Sequence, residues 1–257
     1  MSPLPLVYVH GAGPQAPMKD FKHETDLLIF GKDMPTTRVG YYANVRWPAG
    51  GGGAGVAAAA AAGSSRPRRV RAIRSAMAPE LSADAAAARI VAATLKPPAG
   101  AGRGAAAAAA AVSAKDIDAA TSLVEELYRE ADRIANRSPR PKRRGQALNI
   151  SFPDPIFRFV VGKLASDVID YLYGPFKQAM RQPVKQALLA SPTPKVVVAH
   201  SLGTIITYDL LTEPELAGLK IDVLFTLGCP LGIGNVQKLL RDGAGKPNPV
   251  PPQIAAW

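Results

Sequence analysis

Lys195-Val196-Val197-Val198-Ala199-His200-Ser201-Leu202-Gly203-Thr204 is the stretch on which the reading of this 257-residue chain turns. The run from Lys195 to Ala199 has the apolar continuity of a parallel strand covered on both faces. Thr204 to Leu211 then reads as a helix with Pro214 beyond its end, and Ile221 to Leu227 as a second buried strand. Far upstream, Leu6 to Val9 is a short apolar run ending in His10-Gly11-Ala12-Gly13. Arg38 to Val45, rich in aromatic and β-branched residues, reads as another strand. Strands alternating with helical stretches in this order predict an α/β fold built on a doubly wound, mostly parallel sheet.

The turn between strand and helix carries the chemistry. A sharp strand-to-helix turn needs small residues two positions either side of its apex, and Ala199 and Gly203 stand there around Ser201. The apex side chain is then exposed at the carboxyl end of the sheet, beside a helix N-terminus whose N–H groups favour negative charge. A serine in that place is set for nucleophilic attack. The competing reading is an ordinary turn that happens to contain Ser-Leu-Gly.

At Ala199-His200-Ser201-Leu202-Gly203, together with the His-Gly-x-Gly loop on the first strand, the sequence resembles the serine esterases and lipases of the α/β-hydrolase superfamily. Thr226 to Gly232 matches the strand that follows the elbow in that family, and Ala199 replaces its commoner glycine. The resemblance covers residues 1 to 47 and about 150 to 257. It implies that Ser201 is the acyl-accepting nucleophile and that the backbone N–H groups of Leu202 and Ala12 form the oxyanion hole. His10, Gly11, Gly13, Ala199, His200 and Gly203 support the two motifs. The implied reaction is ester or thioester hydrolysis through an acyl-enzyme, with no cofactor and no metal.

The histidines do not complete the pattern. The resemblance calls for a base histidine after the serine with an acid between them, yet the only histidines are His10, His23 and His200. His10 belongs to the oxyanion loop, His23 lies in a polar stretch beside Lys22 and Glu24, and strand alternation turns His200 away from Ser201. Asp209, within the helix, and Asp222, at the start of the next strand, are badly placed for the acid. Gln253 to Trp257 is an apolar run that stops where similar proteins enter a further strand. The expectation is a fold lacking its last strands, and with them the acid and base, so that activity is impaired. The alternative is a non-catalytic binding or scaffold protein of the same fold.

Composition bounds the rest. One cysteine, Cys229, excludes an internal disulfide framework, and three scattered histidines argue against a metal centre. The net charge of +11 resides in two clusters without acids, Arg66 to Arg74 and Arg137 to Arg144, and the remainder is close to neutral. Neither cluster interleaves aromatic residues, so no specific nucleic-acid binding is predicted; a peripheral contact with anionic surfaces fits better. Residues 48–115 are an Ala/Gly/Arg-rich insertion in an otherwise single domain, read as filler or as a cap, with a helix near Ser82 to Leu95. From Asp116, the residues Ile117, Ala120, Val124, Leu127, Ala131 and Ile134 form one apolar stripe of a helix. Asp154-Pro155 opens a helix running to Tyr173, and Pro183 should kink or divide another over Pro175 to Ala190. Tyr41, Tyr42, Trp47, Leu231 and Ile233 line an acyl site or belong to the core. No stretch reads as a membrane span or a signal peptide, which predicts a cytoplasmic protein, and the resemblance implies a small-molecule ester or lipid as its substrate.

Overall fold

The computed structural model describes residues 4–13, 15–46, 90–92, 94–95, 113–137, 165–240 and 249–257. By contacts the chain forms two compact units, Met1–Gly63 with Asp170–Trp257, and Ser64–Ile169. The first unit holds the sheet: β1 (Leu6–Val9), α1 (Met18–Phe30), β2 (Arg38–Gly40), α2 (Ala43–Arg46), then, after α3 (Ala114–Arg137) of the other unit, α4 (Lys177–Ala190), β3 (Lys195–His200), α5 (Leu202–Leu211), β4 (Ile221–Leu227), α6 (Gly234–Leu240) and β5 (Ile254–Ala256). All five strands pair in parallel in the order β2-β1-β3-β4-β5. This is an α/β fold.

The register separates two faces. Val7, Val197 and Leu224 lie side by side, as do Val9 and Ala199, and all five are buried. Helices α4 and α5 cover this face. A Cβ on Gly40 would come within 3.2 Å of the Val184 backbone, and one on Gly203 within 2.8 Å of the Val9 carbonyl oxygen. Tyr8, Val198 and Phe225 occupy the other face, where α1 packs Phe21 against Tyr8 with ring centroids 5.6 Å apart. Towards β4 that face is open, with Phe225 51% and Leu227 50% exposed.

Local chemistry explains several element ends. Lys195, expected as part of an apolar run, is fully buried because its ammonium donates to the carbonyls of Leu188 and Ser191 (2.6 Å to the latter) where α4 ends. Burial pushes its pKa down. Gly31 closes α1 in the left-handed conformation, φ 69°. At the start of α3, Ser113 and Asp116 cap each other's backbone N–H, at 3.1 and 3.2 Å.

Four expectations are corrected. Arg38 to Val45 is a strand only to Gly40; Ala43–Arg46 is helical because the His10 ring accepts the N–H groups of Tyr42 and Ala43. Pro183 does not divide α4, which runs unbroken through it and buries Val184 and Leu188 on either side of one turn. Ile254–Ala256 is itself a strand and does not stop short of one. Among the described side chains of α3 the buried ones are Ala120, Leu123 and Val124, while Ile117 is exposed and Leu127 half-buried; the side chains of Ala131 and Ile134 lie outside the described residues.

The described part of the second unit comprises α3 and helical residues 90–92, 94–95 and 165–169, in which Thr94 and Ser166 hydroxyls meet at 3.0 Å. The alanine runs, both arginine-cluster side chains, Trp47 and the Asp154-Pro155 cap lie outside the described residues; the backbone is helical over 165–172.

The two faces of β4 should respond differently to substitution. Leu224→Ala, on the covered face, is expected to cost about 2–5 kcal/mol. Phe225→Thr and Leu227→Thr, on the open face, should each cost less than about 1 kcal/mol and reduce self-association. Urea unfolding and light scattering measure both; equal costs on the two faces would refute this division.

Candidate active site

The chain leaves β1 in one direction, through α1 to β2, and leaves β3 in the other, through α5 to β4. Neighbouring strands β1 and β3 therefore flank a switch in winding, and their carboxyl ends mark the position where α/β sheets bind ligands. The loop His10 to Gly13 and the turn at Ser201 are the two lips of this switch point; Ser201, expected to be exposed at the apex of its turn, is instead buried.

Ser201 has φ 50° and ψ −120°, and among the described residues no other non-glycine has a positive φ. This conformation costs roughly 1–3 kcal/mol and persists only where the surroundings enforce it. Two contacts enforce it. The Ser201 N–H donates to Leu227 O at 2.8 Å, tying the turn to β4. Gly203 lets α5 start directly against the end of β1, since a Cβ there would meet His10 O at 2.4 Å. Helix α5 begins at Leu202, two residues before the expected start, so the Leu202 N–H lies in its unpaired first turn. Among the described residues, no hydrogen bond engages the N–H of Leu202 or of Ala12.

The two motif glycines of the opposite lip serve different ends. Gly13 has φ 93° and open space around it, so its backbone conformation is what excludes a side chain. Gly11 lacks a positive φ but has no room: a Cβ would stand 2.6 Å from His200 Nδ1 and 3.2 Å from Ser201 Cβ.

His10 organises this lip and takes no protons from Ser201. Its Nε2 accepts the N–H groups of Tyr42 at 3.0 Å and Ala43 at 3.2 Å, so Nε2 carries no proton. The proton is then on Nδ1, which donates to Gly11 O at 2.7 Å. Tyr42 stacks on the ring at 4.0 Å and donates its hydroxyl to His10 O at 2.7 Å, while Tyr41 meets the ring edge-on. Both tyrosines are thus packing partners of His10. Burial pulls its pKa down to about 4, with a smaller contribution from His200.

His23 is exposed and bonds Asp33 Oδ1 at 2.8 Å, between α1 and the loop leading into the amino end of β2. That location is remote from the carboxyl end of the sheet. His200 is exposed, the covered part of its ring is desolvated enough to lower its pKa, and no hydrogen bond joins it to Ser201. Asp209 is occupied by the Tyr171 hydroxyl at 2.6 Å and by Lys177 and Arg181 at 3.2 and 3.4 Å. Leu231 is buried and Ile233 half-buried. No cluster of three or more His, Cys, Asp or Glu suited to a metal occurs among the described residues. Likewise no helix among them is long and apolar enough to cross a membrane. No family model, curated protein or solved structure matches the chain.

Two outcomes are expected. His10 titrates near pH 4 when folded and near 6.5 when unfolded, so the unfolded chain takes up this proton first as pH falls. The stability it contributes is complete above about pH 6.5 and is lost towards pH 4, a decline of about 3 kcal/mol. Urea unfolding at several pH values should show it, and His10→Gln should flatten the slope. At the turn, Ser201→Gly should be about 1 kcal/mol more stable than Ser201→Ala, because glycine relieves the positive φ and alanine does not. Identical melting of the two variants would contradict a strained turn.

Proposed function

We propose that this chain carries a serine acyl-transfer site of the α/β-hydrolase type, acting on a carboxylic ester, thioester or lipid of small-molecule size. The observation that carries the reading is the Ser201 backbone, φ 50° and ψ −120° at a strand-to-helix turn facing a glycine loop. In the proposed reaction Ser201 Oγ bonds to the substrate carbonyl carbon, its proton passing through solvent to the group that later leaves, and the carbonyl electron pair moves onto oxygen. The N–H groups of Leu202 and Ala12 receive that oxyanion, each worth roughly 3 to 4 kcal/mol. Collapse expels the alkoxide or thiolate, and water then cleaves the acyl-serine in the same cradle. The scheme asks for no cofactor.

The serine proton supports a second reading. His10 has both ring nitrogens engaged, His23 is paired with Asp33, and His200 shares no hydrogen bond with Ser201. A protein without a base at this point would bind acyl ligands and turn them over slowly or not at all, as a scaffold of the same fold. The single cysteine fits a cytoplasmic setting and the two arginine clusters fit contact with anionic surfaces; both points rest on composition.

A fluorophosphonate probe distinguishes the two readings when used with and without imidazole as an external base. The hydrolase reading expects labelling that disappears in Ser201→Ala and accelerates with imidazole, which serves as an external general base. A chain that stays unlabelled in imidazole, or labels equally after Ser201→Ala, is a binding protein.

A further inference from the structure

We propose that His200 is a positioning residue that holds the Gly11–Ala12 peptide of the oxyanion loop in place by steric contact. The inference rests on reading Ser201 as the acyl acceptor. His200 ends β3 beside Leu227 and lies on the face of the sheet that carries Val198 and Phe225. Its ring, exposed to solvent, lies between Gly11 and Gly228 and is close only to Gly11. On one side, the position a Cβ would take on Gly11 is 2.6 Å from Nδ1 and 3.0 Å from Cε1; on the other, that of Gly228 is 3.8 Å from Nε2 and 3.9 Å from Cδ2. Gly228 has φ 55° and needs to be glycine for its backbone alone. Gly11 has no such need, so the ring is what its missing side chain makes room for.

The consequence for the oxyanion hole follows from peptide planarity. The carbonyl of Gly11 and the N–H of Ala12 belong to one rigid plane and point in opposite directions. His10 Nδ1–H fixes the carbonyl and hence the rotation of that plane. A hydrogen bond to one end leaves the plane free to slide towards or away from Ser201. The His200 ring, which stands where a Gly11 side chain would go and is carried by the strand that delivers Ser201, blocks movement towards it. Distance matters here, because an N–H donor acts on an oxyanion only at about 2.7–3.1 Å. Among the described residues the ring makes no hydrogen bond, so its contribution is its shape.

Shape and hydrogen bonding are separable by substitution. Relative to wild type in imidazole buffer, His200→Ala should lower the maximal rate of fluorophosphonate labelling about 10²-fold, while half-saturation changes less than about 3-fold. His200→Phe, which keeps a planar ring, should stay within about 3-fold of wild type. The Ala12 amide resonance should shift or broaden in His200→Ala and remain in His200→Phe, with melting temperatures verifying the fold of each. Unchanged labelling and an unchanged Ala12 amide in His200→Ala overturn the proposal, as does a His200→Phe variant as impaired as His200→Ala. If wild type itself is not labelled through Ser201 but the Ala12 amide still moves in His200→Ala and not in His200→Phe, the positioning role stands and the acyl-transfer reading falls.

Discussion

The carboxyl end of the sheet depends on one close approach, that of the α5 N-terminus to the end of β1. A Cβ at Gly203 would lie 2.4 Å from His10 O and 2.8 Å from Val9 O, both backbone atoms that cannot turn aside. With α5 seated there, the chain must pass from β3 into the helix within a single residue. Ser201 absorbs the whole change of direction in its φ and ψ. The strain at the serine and the bare α-carbon two residues later are therefore one constraint seen from two sides. It also explains why the helix begins at Leu202: the turn leaves no residue to spare before the first helical N–H.

What could be read from the amino acids follows from how far each determinant reaches along the chain. The turn at Ser201 was legible because its small residues, Ala199 and Gly203, lie within one strand and one turn, although the contacts that enforce it come from Leu227 and His10. The strands β1, β3 and β4 were legible as continuous apolar runs, although β4, expected to be buried, is covered on one face only. The helix Ala43–Arg46 was not, since Tyr-Tyr-Ala-Asn-Val has strand-like side chains and its helical start is set by a histidine 32 residues earlier. Pro183 misled for a related reason. The local cost of its missing N–H is offset by burial of Val184 and Leu188, a tertiary term that no propensity contains. Nor could spacing reveal the different reasons for Gly11 and Gly13, because one answers to φ and the other to a neighbour nearly 190 positions away.

Two histidines meet at the same loop and act on it by different physics. His10 is enclosed by aromatic rings, neutral, and bonded through both nitrogens; its role is directional. His200 is exposed and leaves its nitrogens unbonded among the described residues, so what it supplies is a flat surface. Burial lowers the pKa of both rings, and each would disfavour a charge on the other. Neutral rings leave the adjacent N–H groups of Ala12 and Leu202 as the local source of positive potential, as the proposed acyl transfer would need.

The uneven cover of the sheet has a topological cause. Right-handed crossovers place a connecting helix on a face determined by the direction in which the chain moves. Only the step from β1 to β2 runs towards the β2 edge, and its helix α1 lies on the Tyr8 face. The later steps run towards β5, and α4 and α5 lie on the Val9 face. One helix about 10 Å wide spans two strands spaced about 4.8 Å apart, so α1 covers β2 and β1 and reaches no further. Phe225 and Leu227 are open because they lie beyond that reach, and His200, paired with Leu227 at the same edge of cover, is exposed for the same reason. The exposure of His200 is thus imposed by winding, while its contact with Gly11 is imposed by the elbow.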